Sequence, residues 1–332
     1  MKKFVYSFLI MLGVLCTPFI AEAHVKWFTT LTPQKEHFEA ILSPLFLTVS
    51  LLVAILLAVL TQLLPKMMEW SLLQKVDHWL DRLRRYSRII LKYGTAASLI
   101  VQALSGSLFA PEFHIESTFQ LVMMWTVIIF LLIPHHVTTK IGSLILFILF
   151  IHTTIHQGVF HMLDYGFYVA IIGTLCVEKT KIEEWGFPLL YLGTGLSLCW
   201  VAVEKWVFPG LSIDIVFHHH IPTFGFAPGV FIMLSAFIEF VVGYLLVVGI
   251  LNRLLAVVLT GIFILTTTVF GGVEIVGHFI IHIILLIFII EGVSFYKPPI
   301  TMHKTKLSQM TFVFLNFIFT LATFLVLYYR FA

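Results

Sequence analysis

The composition of the chain excludes an ordinary soluble globular protein. Its 332 residues are 60% hydrophobic and 11% charged, and the mean hydropathy is +1.03. A soluble domain carries about a quarter charged residues, so this chain has too little polar surface to cover a globule in water. The formal net charge of +3 gives no indication of nucleic-acid binding. We expect a helical protein in a lipid bilayer, with room for about ten spans of roughly 20 residues each.

The chain begins with the pattern of a cleavable signal peptide. Lys2 and Lys3 precede an apolar run from 4 to 20, and residues 21–23 (Ala-Glu-Ala) have the small side chains that signal peptidase requires. Residues 1–23 are therefore predicted to be removed, which makes His24 the first mature residue. A signal peptide also predicts a bacterial inner-membrane protein whose mature N-terminus is periplasmic.

Ten apolar runs follow and predict about ten transmembrane helices. They lie at 40–64, 89–109, 119–133, 141–157, 162–177, 187–207, 228–250, 253–270, 275–293 and 309–329. Lipid cannot satisfy exposed backbone amides and no alternating barrel pattern is present, so the predicted fold is an all-α membrane protein. Residues 66–88 mix Trp70, Trp79 and other apolar residues with charges, which is typical of an amphipathic helix on the inner membrane surface.

The distribution of basic residues predicts the same orientation as the signal peptide. Removal of Lys2 and Lys3 leaves 18 of the 20 Lys and Arg residues in the mature chain. With an outer N-terminus, 14 of these 18 lie on the inner side. The four outer ones are Lys26, Lys35, Lys205 and Arg330. This asymmetry agrees with the positive-inside rule.

The sequence also contains a parallel internal repeat. Residues 93–99 (YGTAASL) resemble residues 192–198 (LGTGLSL), and each copy begins a group of four predicted helices on the inner side. The two groups, 89–177 and 187–293, follow a segment 24–88 that holds one span, and one further helix, 309–329, ends the chain. Small residues on the matched helices allow close approach of neighbouring helices.

The second copy carries motifs of a known family. They are Glu204-Lys205-Trp206 with Phe208-Pro209-Gly210, residues 239–243 (EFVVG), residues 249–253 (GILNR) and Gly277-His278. Together they resemble the DoxX-like inner-membrane proteins, which are four-helix units, over 187–293. The first copy is more degenerate, with Ser105 in place of Glu204, and residues 23–28 (AHVKWF) resemble the mature start of a longer DoxX-like subgroup. For some members, the resemblance implies a part in quinone-linked thiosulfate oxidation.

Histidines gather towards the predicted outer side. Four lie on the inner side, His78, His135, His136 and His303, and the other 11 of the 15 lie towards the outside. Imidazole is a common ligand of copper, zinc and iron, and it titrates near neutral pH. Two groups of histidines are candidate metal or proton-coupled sites, each built on an i, i+4 pair that shares a helix face. The first group is His152, His156, His161 and Asp164, and the second is His278 and His282 with Glu274 one turn earlier.

The predicted mature N-terminus adds a more specific metal hypothesis. An N-terminal histidine can bind copper through its amine and ring nitrogen, as in proteins with a copper brace, so His24 is a candidate metal ligand. His37, His114 or the histidines at 218–220 are candidates for the remaining imidazole. The alternative for each histidine of the spans is a polar contact between packed helices.

Glu204 and Glu239 are the candidate catalytic residues, because a carboxylate within a span is costly and usually faces the bundle interior or a water-filled cavity. Glu204 is adjacent to Lys205, whereas Glu239 has no partner nearby in sequence. Glu239 is therefore expected to be protonated or to bond a histidine or hydroxyl of another helix.

These features favour an outward-facing histidine and carboxylate site that binds a transition metal such as copper or couples periplasmic redox chemistry to quinone. One alternative is a proton- or metal-coupled transporter, and another is a membrane anchor for a soluble periplasmic enzyme. The short segments outside the spans predict a periplasmic or membrane protein partner besides the lipid bilayer. The sequence leaves open whether the chain is an enzyme.

Overall fold

Helices dominate the computed structural model, which describes residues 27–29, 31–68, 71–292 and 305–332. The first part contains α1 (Phe38–Ile41), α2 (Pro44–Met68) and α3 (Ser71–Asp81). The first repeat contains α4 (Ser87–Leu104), α5 (Thr118–Leu132), α6 (His136–Gln157), α7 (Val159–Met162) and α8 (Phe167–Cys176). The second contains α9 (Gly186–Val207), α10 (Pro209–His218), α11 (Pro228–Val248), α12 (Asn252–Phe270) and α13 (Gly272–Glu291), and α14 (Lys306–Phe331) follows. The predicted signal peptide and His24 lie outside the described residues.

The described helices confirm a multi-pass helical membrane protein. Seven of them are long and apolar enough to cross a bilayer, and an eighth span results if the bent pair Val159–Tyr165 and Phe167–Cys176 counts as one. The bend between these two segments is 66°. Each of the ten predicted runs contains an α-helix, but α5 has only 15 residues. The helix α4 carries two cations, Arg88 and Lys92, and is absent from the seven.

The second predicted run, 89–109, ends earlier than its apolar composition suggests. The helix α4 stops at Leu104, and a short ribbon of β1 (Ser107–Leu108) and β2 (Ala110–His114) follows. Gly106 and Phe109 take positive φ angles of 74° and 67°, which are incompatible with a continuing helix. The Gln102 side chain stabilises this turn, because its oxygen accepts from the Phe109 amide at 3.0 Å.

The two repeats contact each other through corresponding helices. The first helix of each repeat packs against the last helix of the other, α4 on α13 and α9 on α8. Gly94 and Gly193, which the sequence repeat aligns, lie at these two contacts. A methyl group at Gly94 would overlap Ile283, and one at Gly193 would overlap Ala170. Equivalent glycines therefore allow equivalent close helix contacts in the two halves.

Within the second repeat, α9 and α11 cross with their backbones nearly touching. A Cβ added to Gly195 would lie 2.6 Å from the carbonyl oxygen of Gly243, and a Cβ added to Gly243 would lie 2.6 Å from the carbonyl oxygen of Gly195. Any larger side chain at either position must separate the helices. This crossing fixes the distance between the polar residues that lie further along the same two helices.

At the end of the bundle that is predicted to face the inner side, α3 is bound to the second repeat. Arg253 of α12 forms an ion pair with Asp77 and donates to the Ile289 carbonyl at 2.6 Å. Leu80 is buried beneath the helix, whereas Trp79 is 59% exposed. One face of α3 thus packs on protein and the other is free for the membrane surface, as its amphipathic sequence predicts.

The glycine crossing gives a testable expectation for stability. Gly195→Ala should lower the free energy of unfolding by about 1–3 kcal/mol, because the new methyl group overpacks the α9–α11 contact. Gly261→Ala is the matched control, since a Cβ there meets nothing within 4 Å. Thermal or denaturant unfolding of the purified variants in detergent measures the difference. Equal stability of the two variants would contradict the close crossing.

Candidate functional site

A buried ion pair joins α9 to α11. The Nζ atom of Lys205 lies 2.5 Å from Oε2 of Glu239, and their side chains are only 1% and 4% exposed. Removing two charges from water costs several kcal/mol each, and direct pairing in the low-dielectric interior offsets that cost. The partner of Glu239 is therefore Lys205, a lysine of another helix. From the sequence alone, Lys205 is noted only as the neighbour of Glu204.

Further ionisable side chains surround this pair. Glu204 and Asp164 are each 2% exposed, and Tyr328 of α14 is close enough to both to interact electrostatically. Asp164 and Glu239 line the same cavity, together with the hydroxyls of Thr194 and Ser197 from α9 and with His278. Its water-accessible volume is about 20 Å³, enough to hold about one water molecule. We call this space the central cavity.

On the far wall of the central cavity, α12 and α13 contribute a second buried acid–base contact. Oε1 of Glu274 accepts a hydrogen bond from Thr266 at 2.5 Å and lies 3.0 Å from Nδ1 of His278. The His278 ring stacks on Phe263, with ring centroids 4.7 Å apart. Both Glu274 and His278 are 1% exposed. His278 is close enough to Glu239 to interact electrostatically, so acid–base groups of α9, α11 and α13 meet in one region.

Residues 27–29 cover this region at the end of the bundle that is predicted to face outside, which we call the outer end. The Trp27 ring packs against His278 at 5.0 Å between centroids, over the backbone of Gly277, where a Cβ would overlap it. Phe28 stacks on Phe270 at 4.3 Å. Thr29 donates to Asp214 at 2.6 Å. Three consecutive residues thus fasten the N-terminal segment over the central cavity.

A second polar cluster lies beside Trp27 and consists of Glu112, His161 and Tyr165, which we call the outer triad. Oε1 of Glu112 lies 3.0 Å from Nε2 of His161 and also accepts a hydrogen bond from the Tyr165 hydroxyl. Trp27 donates its indole N–H to the same hydroxyl at 3.0 Å. The side chains of His161 and Glu112 are 26% and 15% exposed, so water reaches this cluster in part.

The β-ribbon explains how Glu112 reaches the outer triad. Gln102 bonds both the amide and the carbonyl of Phe109, at 3.0 and 3.3 Å, and fixes the turn before β2. Phe113 contacts the rings of His161 and Tyr165, with centroids 5.1 and 5.2 Å apart. His161 and Tyr165 lie four residues apart in a helical segment, so both side chains face the strand.

The structure distributes the predicted metal ligands among separate contacts. His152 and His156 lie together, with ring centroids 4.5 Å apart, whereas His161 bonds Glu112 and Asp164 lines the central cavity. His282 packs edge-on against Phe263 at 6.0 Å. Among the residues described here, no three His, Cys, Asp or Glu side chains form a group that could hold a metal ion. His24, the remaining predicted ligand, lies outside them.

Sequence reasoning missed three residues of these clusters. Lys205 carried a usable signal, since a lysine in an apolar span requires a counter-charge. Glu112 and Tyr165 carried none, because Glu112 lies in β2, between α4 and α5, and is separated from its partners by about 50 residues of sequence. The arrangement as a whole brings together carboxyl, imidazole, phenol and ammonium groups, each of which can hold or exchange a proton.

Comparisons of the chain with known proteins found no similar protein. The chain matches no protein-family model, no curated protein and no solved structure. Its chemistry must therefore be argued from its own side chains.

The buried pair gives a second testable expectation. Lys205→Met and Glu239→Leu should each lower the free energy of unfolding by about 3–5 kcal/mol, because each leaves one uncompensated charge in the interior. The double variant should be more stable than either single one. Lys181→Met, at an exposed lysine, is the control and should have little effect. Unfolding titrations in detergent measure the four variants, and strictly additive losses would show that the two residues are not coupled.

Proposed function

We propose that the chain is a DoxX-like inner-membrane protein that conducts protons between its outer, periplasmic end and the buried Lys205–Glu239 pair. The observation that carries the proposal is this pair, 2.5 Å long and almost completely buried, beside a cavity shared with Asp164 and His278. An ionisable residue within a membrane span is retained against a large energetic cost, and proton relays are among its recurrent uses.

The first repeat supports a functional origin for these charges. Around Gln102 it has a neutral polar network, with Gln102 donating to the Tyr168 hydroxyl at 2.8 Å and to the Phe109 carbonyl. Ser105, which the repeat aligns with Glu204, bonds Ser107 at 2.7 Å. At the position of Glu204 the first repeat thus holds a hydroxyl group in place of a carboxylate. We attribute the buried charges of the second repeat to the chemistry that they perform.

The size of the central cavity favours protons over quinone as the species handled there. A cavity volume of about 20 Å³ holds a water molecule, which transfers protons, but not an aromatic ring. Glu239 and Asp164 both line this cavity, and a water molecule inside it would bridge polar groups at little energetic cost. A quinone-linked role requires the helices around Glu239 to open.

Proton flux into liposomes tests the proposal. The purified protein is reconstituted with a pH-sensitive dye inside the vesicles, and the outer pH is lowered by a rapid jump. The wild type should acidify the interior, whereas Glu239→Gln should reduce the rate to that of protein-free vesicles, because an amide neither accepts nor releases a proton in this range. Infrared difference spectra between the two pH values should lose the carbonyl band of a protonated carboxyl group in the same variant.

The matched control is Glu116→Gln, at an exposed carboxylate of the same end of the bundle. It should conduct like the wild type. A wild-type flux equal to that of empty vesicles would refute proton conduction. A fast flux in Glu239→Gln, with its infrared band intact, would remove Glu239 from the route.

We propose a transition-metal site at the outer end as the second candidate function. Its support is the position of Trp27, which bonds Tyr165 next to the Glu112–His161 pair. His24 precedes Trp27 by three residues, and three residues span at most about 11 Å. The amine and imidazole of a processed N-terminus are thus tethered near two side chains that suit copper or zinc.

Elemental analysis decides the metal hypothesis. Mature protein without a polyhistidine tag should carry roughly one equivalent of copper, zinc or iron, and N-terminal sequencing should begin at His24. The His161→Ala variant should lose the metal. The His156→Ala variant should retain it, because His156 is an exposed histidine outside the outer triad. A metal-free protein that also fails to bind added copper would exclude this function.

A further inference from the structure

The outer triad begins with a partly exposed histidine and ends with a buried tyrosine next to Asp164 in the sequence. His161 is partly exposed, Glu112 is mostly covered, and Tyr165 is buried at 1% exposure. Exposure therefore falls along the sequence of hydrogen bonds from imidazole to carboxylate to phenol. The residue before Tyr165 is Asp164, which lines the central cavity with Glu239. Asp164 is also close enough to the Tyr165 phenol to interact with it electrostatically.

We propose that the outer triad is the proton relay through which the central cavity exchanges protons with the outer side. This inference rests on the proposed function, and it assigns the outer half of the route to named residues. His161 collects the proton from water, Glu112 accepts it, and Tyr165 passes it towards Asp164.

The transfer leaves each group of the relay unchanged. The imidazole of His161 first takes up a proton from a hydronium ion at the surface, and the imidazolium then gives its Nε2 proton to Oε1 of Glu112. The carboxyl group gives a proton to the phenol oxygen as the phenol O–H, which donates to Glu112 at rest, turns and releases its own proton towards Asp164. No bond between heavy atoms forms or breaks, and no electrons are transferred. The proton finally leaves Asp164 for the central cavity.

The geometry suits a relay better than a contact that only stabilises packing. One carboxylate oxygen, Oε1 of Glu112, faces both the imidazole and the phenol. The Trp27 indole N–H donates a hydrogen bond to the same phenol oxygen and so holds it in position. A proton that arrives at this oxygen from His161 therefore lies already within hydrogen-bond reach of the next group, as proton transfer requires.

Flux measurements on triad variants test the relay. Tyr165→Phe keeps the ring that packs against Phe113 but removes the hydroxyl, and it should slow the proton flux by about 100-fold, the lower range for loss of an acid–base group. His161→Ala should have a similar effect, and imidazole added on the outer side should restore its rate. His156→Ala is the matched control for both the substitution and the imidazole, and its rate should stay at the wild-type value in each condition.

The outcomes separate the relay from the proposed function. Fast flux in Tyr165→Phe and His161→Ala, with Glu239→Gln inactive, would overturn the relay and leave proton conduction intact. A fast flux in Glu239→Gln would instead contradict the proposed function, on which the relay depends. A stoichiometric metal that His161→Ala alone releases would make His161 a metal ligand and would also overturn the relay. Because His161 is partly exposed, its removal leaves the core packed, and unchanged thermal unfolding verifies this.

Discussion

The ammonium group of Lys205 and the carboxylate of Glu239 constrain the second repeat, because neither charge is tolerated alone in a low-dielectric interior. Their 2.5 Å contact requires α9 and α11 to approach closely. Gly195 and Gly243 provide that approach, since only a hydrogen atom separates the two backbones at the crossing. Side chains of α8, α13 and α14 pack nearby, since Phe167 and Ile281 line the central cavity with Glu239, and Phe317 contacts Phe240 of α11. The glycine crossing, the surrounding helices and the central cavity are all consequences of keeping two opposite charges together.

The two repeats show how one scaffold accommodates different chemistry. Gly94 and Gly193 occupy equivalent helix contacts, so the packing rule is shared. Their polar contacts differ, because Gln102 and Tyr168 form a neutral network in the first repeat, whereas the second contains the buried Lys205–Glu239 ion pair. The neutral network fixes the turn at Phe109, from which the β-ribbon extends to Glu112. The first repeat thus positions the carboxylate of Glu112 at the outer end of the bundle.

The sequence predicts the helices well and their polar contacts poorly, for a physical reason. Hydropathy reports the affinity of a segment for lipid, which acts on each segment separately, so helices could be located in the apolar runs, although only seven or eight of the described helical segments are long and apolar enough to span a bilayer. The end of α4 at Leu104 depends on hydrogen bonds of Gln102. The bend at Gly166 lies where the Phe167 amide donates to the Ser197 hydroxyl of α9. The Lys205–Glu239 contact joins residues 34 apart, and the Trp27–Tyr165 bond joins residues 138 apart. Such contacts follow from the helix arrangement, which no local pattern contains.

The contacts of Trp27 at the outer end bear on which species the buried groups could exchange. Trp27 lies on His278, which lines the central cavity, and bonds Tyr165 of the outer triad. A hydrated cation needs an opening as wide as its water shell, whereas a proton needs only a continuous series of hydrogen-bonding groups. His161, Glu112 and Tyr165 provide a series of hydrogen-bonding groups next to Trp27. Under the proposed relay Trp27 therefore has two roles, because the ring that packs on His278 also donates the hydrogen bond that orients the Tyr165 phenol.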